Sequence, residues 1–372
     1  MTYIHTNPEW PRLTWDIESL AGQLSGVRHR QGLLVGRVAA LGLESRQESQ
    51  LAALTADVVK SSAIEGEQLP PDEVRSSIAR RLGIAVGGLS AASRTVDGVV
   101  QMMLDATQRY EQPLTAPRLF EWHLALFPAG HSARSRLTIG AWRSDANGPM
   151  QVVSGSLAEP RVHFEAPAAA CVPREMEQFF DWMNAPSVLD PVLRAAVAHF
   201  WFVTIHPFDD GNGRIARAIA DLALARADGR RERYYSMSAQ IEAERSEYYR
   251  QLERAQRGGV DITSWIQWFL GCLDRSFTRA EAAMERVLRD ARVWERVNAR
   301  GPNDRQRLVL TRMLGDWEGW LTTSKYATLA KCSSDTALRD VKELVAWGVL
   351  AQNEKGGRSV SYRLVHAITA TA

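Results

Sequence analysis

Between residues 189 and 228 the apolar residues recur at helical spacing on both sides of a single break, "HPFDDGNG" at 206–213. Such a stretch folds as two helices joined by a short loop, because one proline and two glycines interrupt a repeat of three to four residues. The expected helices are 189–204 and 211–228. The same spacing predicts helices over 17–43, 48–69, about 93–110, 115–126, 173–184, 244–256 and 262–299. "PPDEV" at 70–74 has the prolines and acids of another helix start. Residues 140–167 depart from the pattern: they are rich in Gly, Pro, Asn and Ser, and "MQVVSG" and "RVHFEA" read as the strands of a β-hairpin or flap. The fold class is mainly α, a helical bundle with one hairpin.

A chain of 372 residues exceeds one average core, so two or three domains are expected. A net charge of +2 does not impose a nucleic-acid role. Cys171, Cys272 and Cys332 are widely separated, which argues against a disulfide framework or a zinc site and for reduced thiols. The first residues lack a basic segment followed by an apolar one, and no apolar run reaches membrane-spanning length. A cytoplasmic location without membrane contact is the expectation.

The interruption at 206–213 is dense in chemistry. Gly211, Asn212 and Gly213 tolerate positive φ, so their N–H groups can converge into an anion nest at the start of the following helix. Arg214 and Arg217, three apart, share one helical face and suit the oxygens of a polyphosphate. Asp210 at the mouth would repel phosphates unless a cation lies between, and Mg²⁺ brought by the nucleotide is the natural bridge. His206, held by Pro207 and Phe208, can accept a proton from an incoming hydroxyl. Singly, each has a structural reading: a turn, a core histidine, a cap. In this order they point to phosphoryl or nucleotidyl transfer.

"HPFDDGNGRIAR" resembles the Fic family motif at His206, Pro207, Phe208, Asp210, Gly211, Asn212, Gly213, Arg214 and Arg217. The resemblance implies a Fic-type helical bundle that transfers AMP from ATP to a protein hydroxyl. His206 would be the base, Asp210 the Mg²⁺ ligand, and Asn212, Arg214 and Arg217 the phosphate holders. "GAWR" followed by "MQVVSG" resembles the family's flap, with Val152, Val153, Ser154 and Gly155 aligning the target chain by strand addition. "SEYYRQLERAQRGG" at 246–259 resembles the adenine-side segment, with Tyr248, Tyr249 and Gln256 as its polar and aromatic positions. "WPRLTWD" at 10–16 resembles the opening of a bacterial Fic subgroup.

"SSAIEG" at 61–66 is similar to the family's inhibitory pattern through Ser61, Glu65 and Gly66. Ser61 and Glu65 are four apart and project from one helical face. The resemblance implies that Glu65 pairs with Arg217 and displaces the γ-phosphate. Removal of AMP from a modified protein is an alternative, as is a nucleotide-sensing DNA-binding regulator; some family members transfer phosphate or phosphocholine instead. A homodimer is a further family expectation. The target protein is unknown.

"GPND" at 301–304 marks a boundary. Three helical segments and a Gly356-Gly357 hairpin follow, with ten Lys or Arg against seven Asp or Glu, a net +3. This order resembles a winged helix-turn-helix. Were it to bind DNA, Thr336, Arg339 and Lys342 would face the groove and Lys355 and Arg358 the backbone; protein docking is the other use. The expected divisions are 1–110, a helical region carrying the inhibitory helix; 111–275, the catalytic core; 276–300, a helical linker; and 301–372, the winged-helix-like domain.

Overall fold

Asp16 opens the first long helix by accepting the Glu18 and Ser19 N–H groups on its carboxylate. In this computed structural model the residues described are 2–85, 90–128, 137–146, 148–156, 159–315, 317, 319–353 and 360–365. They form α1 (Ile17–Ala39), α2 (Leu43–Ile64), α3 (Pro71–Leu82), α4 (Arg94–Gln108), α5 (Ala116–Leu126), the strands β1 (Gln151–Ser156) and β2 (Glu159–Glu165), then α6 (Val172–Asn184), α7 (Pro191–Ile205), α8 (Asn212–Asp228), α9 (Met237–Ala243), α10 (Arg245–Gln256) and α11 (Thr263–Asn298). Next come α12 (Asp304–Leu314), β3 (Leu321–Thr322), α13 (Thr323–Ala330), α14 (Ser334–Ala346), β4 (Leu350–Gln352) and β5 (Ser361–Leu364). The chain is mainly α-helical, and it divides into two units, Met1–Glu281 and Ala282–Ala372.

The first unit is built around α7. Every residue from Ala195 to Ile205 is buried, including Phe200, Trp201 and Phe202. A helix apolar on all sides belongs inside a bundle, not on its surface. α8 packs along α7, and α4 packs on both α8 and α5. Gly98 permits the α4–α5 approach: a Cβ there would lie 1.8 Å from the Ala125 carbonyl oxygen. α2 packs against α3 and α9, which brings its C-terminal end to the start of α8.

One sequence expectation shifts, and one helix was not expected. The predicted helix 17–43 ends at Ala39, and a new helix starts after Gly42; the apolar period runs through this corner and hides it. α9 has only seven residues, too few to show a period, and is set by its cap, the Ser236 hydroxyl accepting the Ala239 N–H at 2.9 Å. β1 and β2 pair antiparallel, with a register shift between Val152 and Val153.

The second unit has its own core, with Val293 and Val297 from the last part of α11 beside Leu310, Val341, Leu344 and Leu350. Its sheet has the order β3-β5-β4, antiparallel throughout. Asp340, 2% exposed, ties three helices together. It accepts from Arg305 Nε at 2.8 Å, Tyr326 Oη at 3.0 Å and Asn303 Nδ2 at 3.1 Å. Burial would raise its carboxyl, and these hydrogen bonds outweigh burial and hold it below the usual range. The Ser333 side chain caps α14 by accepting the Thr336 N–H. On α14, Arg339 and Lys342 are exposed, whereas Thr336 is half-buried with its hydroxyl on that of Ser333. Lys355 and Arg358 lie outside the described residues. Among the described residues no helix is long and apolar enough to cross a membrane.

Candidate active site

The loop between α7 and α8 is held from four sides. His206 ends α7 in the left-handed region, φ 52° and ψ 59°, a conformation costing a non-glycine residue about 1 kcal/mol that its surroundings must enforce. Arg143, 3% exposed, does so. Its Nε donates to the His206 carbonyl at 2.7 Å and its backbone N–H to the Pro207 carbonyl at 3.0 Å. Its guanidinium also donates to Asp145 Oδ1 at 3.0 Å and to the Pro167 carbonyl. Phe208 is fully buried and stacked on His123, with ring centroids 4.2 Å apart. His123 Nε2 donates to the Asp210 carbonyl at 3.1 Å, and its Nδ1 accepts the Gly140 N–H at 3.1 Å. Asp209 Oδ2 accepts the Thr138 N–H at 2.8 Å.

His206 is half-buried, and its Nδ1 lies 3.2 Å from the Val203 carbonyl. A carbonyl only accepts, so Nδ1 carries the proton and Nε2 presents a lone pair. Desolvation, reinforced by the Arg143 charge and opposed by the Val203 hydrogen bond, pushes this imidazole down to about 4. At neutral pH it is an uncharged base.

Asn212 differs from the expectation of a phosphate ligand. Its Nδ2 donates to the Phe208 carbonyl at 2.7 Å, and its Oδ1 accepts the Phe208 N–H at 3.0 Å. Its side chain braces the loop, and only its backbone N–H is placed for an anion. α8 starts behind Gly211, at φ 80°, with no side-chain cap on its first N–H groups. A Cβ on Gly213 would lie 2.1 Å from Glu65 Oε1 and 3.3 Å from Arg217 Nη1, so a carboxylate oxygen already sits over the first turn of α8.

That carboxylate comes from the end of α2. The Gly66 N–H bonds the Ala63 carbonyl and the Glu67 N–H bonds the Ser62 carbonyl, both at 3.0 Å. With Gly66 at φ 86° this is a Schellman closure. It turns the chain so that Glu65 and Glu67, on either side of the glycine, each reach a motif arginine. Arg217 Nη2 donates to Glu65 Oε1 at 2.8 Å and to the Ser61 carbonyl at 2.8 Å, and its Nε donates to Ser61 Oγ at 2.9 Å. Arg214 Nη1 donates to Glu67 Oε2 at 2.7 Å. Both guanidiniums are 2% exposed. Burial would lower the Arg217 guanidinium, and the Glu65 charge outweighs it and raises it. Arg217 Nη1 and Arg214 Nε are buried without a hydrogen-bond partner among the described residues. Such donors cost about 1–3 kcal/mol each when unmet, and beside an open helix start they fit the oxygens of an anion.

Residues 113–224 match the model described as "Fic/DOC family", and residues 3–84 match "Domain of unknown function (DUF4172)". Residues 113–224 are a Fic domain. Its relatives include "Protein adenylyltransferase fic-1" of Caenorhabditis elegans, 34% identical over 116 residues, 31% of this chain and 21% of that protein. Another is "Protein adenylyltransferase Fic" of Nematostella vectensis, 34% identical over 112 residues, 30% of this chain and 24% of that one. The matched part thus spans about a quarter or less of these curated relatives' length. A Fic family protein from Desulfovibrio desulfuricans shares the fold, with a TM-score of 0.51 at 21% identity, covering 92% of this chain and 96% of that chain. A Fic domain containing signaling protein from Bacteroides thetaiotaomicron also scores 0.51, at 22% identity, covering 71% and 97%.

Around the Fic motif the remaining expected residues separate. Tyr248 is 1% exposed, its hydroxyl 2.9 Å from His199 Nε2, so it is a core residue under the arginines, not an open adenine contact. Tyr249 is 37% exposed, and its hydroxyl donates to the Ile64 carbonyl at 3.4 Å, beside the α2 end. Gln256 is buried, donating to Thr204 Oγ1 at 3.3 Å. Val152, Val153, Ser154 and Gly155 all lie on β1. Asp210 is exposed, and its Oδ1 accepts the Gly211 N–H at 2.6 Å. Among the described residues no group of three metal-ligating side chains occurs. A single exposed carboxylate beside an anion nest fits Mg²⁺, which commonly binds through one or two carboxylates plus substrate phosphates.

Arg143 and Glu67 belong to the site without a local signal in the sequence. Arg143 sits inside "GAWR", but its role depends on the carbonyls of His206, Pro207 and Pro167, 24 to 64 residues away. Glu67 follows the helix end, where helical face rules stop. Replacing Arg143 by methionine is expected to lower unfolding free energy by about 2–4 kcal/mol, since buried carbonyls lose their donor. Urea titration with an unchanged midpoint would refute this.

Proposed function

We propose that this protein transfers AMP from ATP to a protein hydroxyl, and that the form described is its resting state. The single observation that carries the reading is the contested arginine pair: two guanidiniums with unmet buried donors at an uncapped helix start, held by Glu65 and Glu67. The first N–H groups of α8 would bind phosphate oxygens, with Arg214 and Arg217 on their outer side. Asp210 would hold Mg²⁺, which supplies neutralisation of phosphate charge. Nε2 of His206 would take the acceptor proton as the hydroxyl oxygen bonds the α-phosphorus. The bond from the α-phosphorus to the bridging oxygen breaks, and pyrophosphate leaves.

Glu65 places a carboxylate where a phosphate oxygen belongs and occupies Arg217, so bound ATP would be misaligned for attack. Glu67 adds a second hold on Arg214. Because Glu67 is 41% exposed, its grip is modest: Glu67→Gln in a Glu65→Gly background is expected to tighten ATP binding roughly threefold by calorimetry. Unchanged affinity would remove Glu67 from the resting clamp.

Intact-mass spectrometry of the Glu65→Gly protein with ATP and Mg²⁺ tests the function. A gain of one AMP supports the proposal. A gain of one phosphate, or none with the protein folded, overturns it.

A further inference from the structure

The flap is fastened to α10, the helix that carries Tyr249 and Gln256. Val152 faces Phe164 and Val153 faces Val162, so His163 is the extra residue of a β-bulge. A bulge leaves backbone groups outside the ladder, and here Arg257, the residue capping α10, collects them. Its Nε donates to the His163 carbonyl at 3.1 Å and its Nη2 to the Val162 carbonyl at 2.9 Å. The His163 ring is held at both nitrogens: Nδ1 lies 2.9 Å from Glu253 Oε2, and Nε2 lies 2.6 Å from Ser154 Oγ. The carboxylate accepts only, so Nδ1 is the donor, and Nε2 accepts the Ser154 hydroxyl across the hairpin. Glu253 also pairs with Arg257 Nη1 at 3.0 Å. β2 is thereby bound to the helix, while β1 is the outer strand of a two-stranded sheet, with Val153 52% exposed.

We infer that Glu253 and Arg257 are positioning residues for the acceptor: by pinning the bulge at His163 they fix the height and tilt of the β1 edge along which an incoming chain pairs. This rests on the reading of the flap as the acceptor's strand partner. α10 also reaches the end of α2 through Tyr249, and the acceptor hydroxyl is aligned with the α-phosphorus through α10. Neither residue touches the reacting atoms.

The test uses the full chain in the Glu65→Gly background, with ATP labelled on the α-phosphate. Two products are followed: AMP on the chain's own hydroxyls, which needs strand alignment, and free AMP from transfer to water, which does not. Arg257→Ala is expected to lower the ratio of protein-bound to free AMP about tenfold, with ATP affinity unchanged within about twofold. Arg257→Lys, which keeps a donor near the carbonyls, is expected to recover part of the ratio. In parallel, hydrogen exchange of amides 151–156 in Arg257→Ala is expected to quicken about tenfold while α7 and α8 stay protected. An unchanged ratio, an equal fall in both products, or unchanged exchange across 151–156 overturns the inference. A parent without any AMP product counts against the proposed reaction instead, and the exchange measurement still decides whether Arg257 holds the flap.

Discussion

Glu65→Gly is expected to raise self-labelling with α-labelled ATP by roughly 30-fold or more, since a single donor to charge developing in the transition state is commonly worth about a hundred- to a thousandfold. Three observations set the direction. Glu65 Oε1 accepts a hydrogen bond from Arg217 Nη2 at 2.8 Å. The same oxygen lies over Gly213, where α8 would receive a phosphate. Arg217 keeps a second buried nitrogen without a partner, ready for another acceptor. Glycine also suits the turn, so the backbone of the Schellman closure is unaffected. The variant should melt earlier without nucleotide, because a buried guanidinium has lost its counter-charge, and ATP should return part of the loss. Labelling at or below the parent level, in a protein with native circular dichroism, would eliminate Glu65 as the brake. Ser61→Ala should act in the same direction but weakly, since the Ser61 carbonyl still accepts from Arg217.

His206→Ala, made in the Glu65→Gly background, is expected to reduce transfer by roughly a hundred- to ten-thousandfold, the usual range for a general base. ATP affinity should change little, because on the proposed reading α8 and its arginines make the phosphate site. The pH profile gives an independent check. Only the uncharged imidazole can accept the proton, and burial pushes the group down to about 4. The rate with His206 present should therefore be flat from pH 8 to about 5 and fall only as pH approaches 4. A fall centred near the ordinary histidine value of about 6.5 would mean that the ring is solvated in the working state. Retained transfer by the alanine variant would assign the proton to another group.

Much of the molecule was legible because its strongest signals are local. The periods of α7 and α8, the break at 206–213 and the alternation of the flap are each written within about forty residues. Glu65 was reached through the family resemblance of "SSAIEG", a serine four residues before it and a glycine after it, and the φ of 86° at Gly66 explains why that position takes Gly. What stayed hidden is non-local or directional. Asn212 belongs to the motif, yet no spacing rule tells that both ends of its amide turn back to Phe208. Tyr248 and Tyr249 are neighbours in sequence, and only the packing of α10 on α7 sends one into the core and leaves the other exposed. Arg143 and Arg257 act on backbone carbonyls of distant segments, and carbonyls have no sequence signature. The corner at residues 40–42 vanished because apolar spacing continues across it.

Both motif arginines are buried, and a guanidinium is a permanent cation in proteins, so the site holds positive charge whatever occupies it. On the proposed reading, what changes between rest and work is the anion beside that charge. The pocket then behaves as an ion exchanger with a tethered counterion: Glu65 and Glu67 are delivered by the chain at high local concentration, and ATP must displace them from solution. Tethering makes the resting state independent of protein concentration and sensitive to anything that moves the end of α2 by the length of a hydrogen bond. Loosening that one helix end lowers the effective concentration of the tethered anion, and the exchange shifts toward the nucleotide.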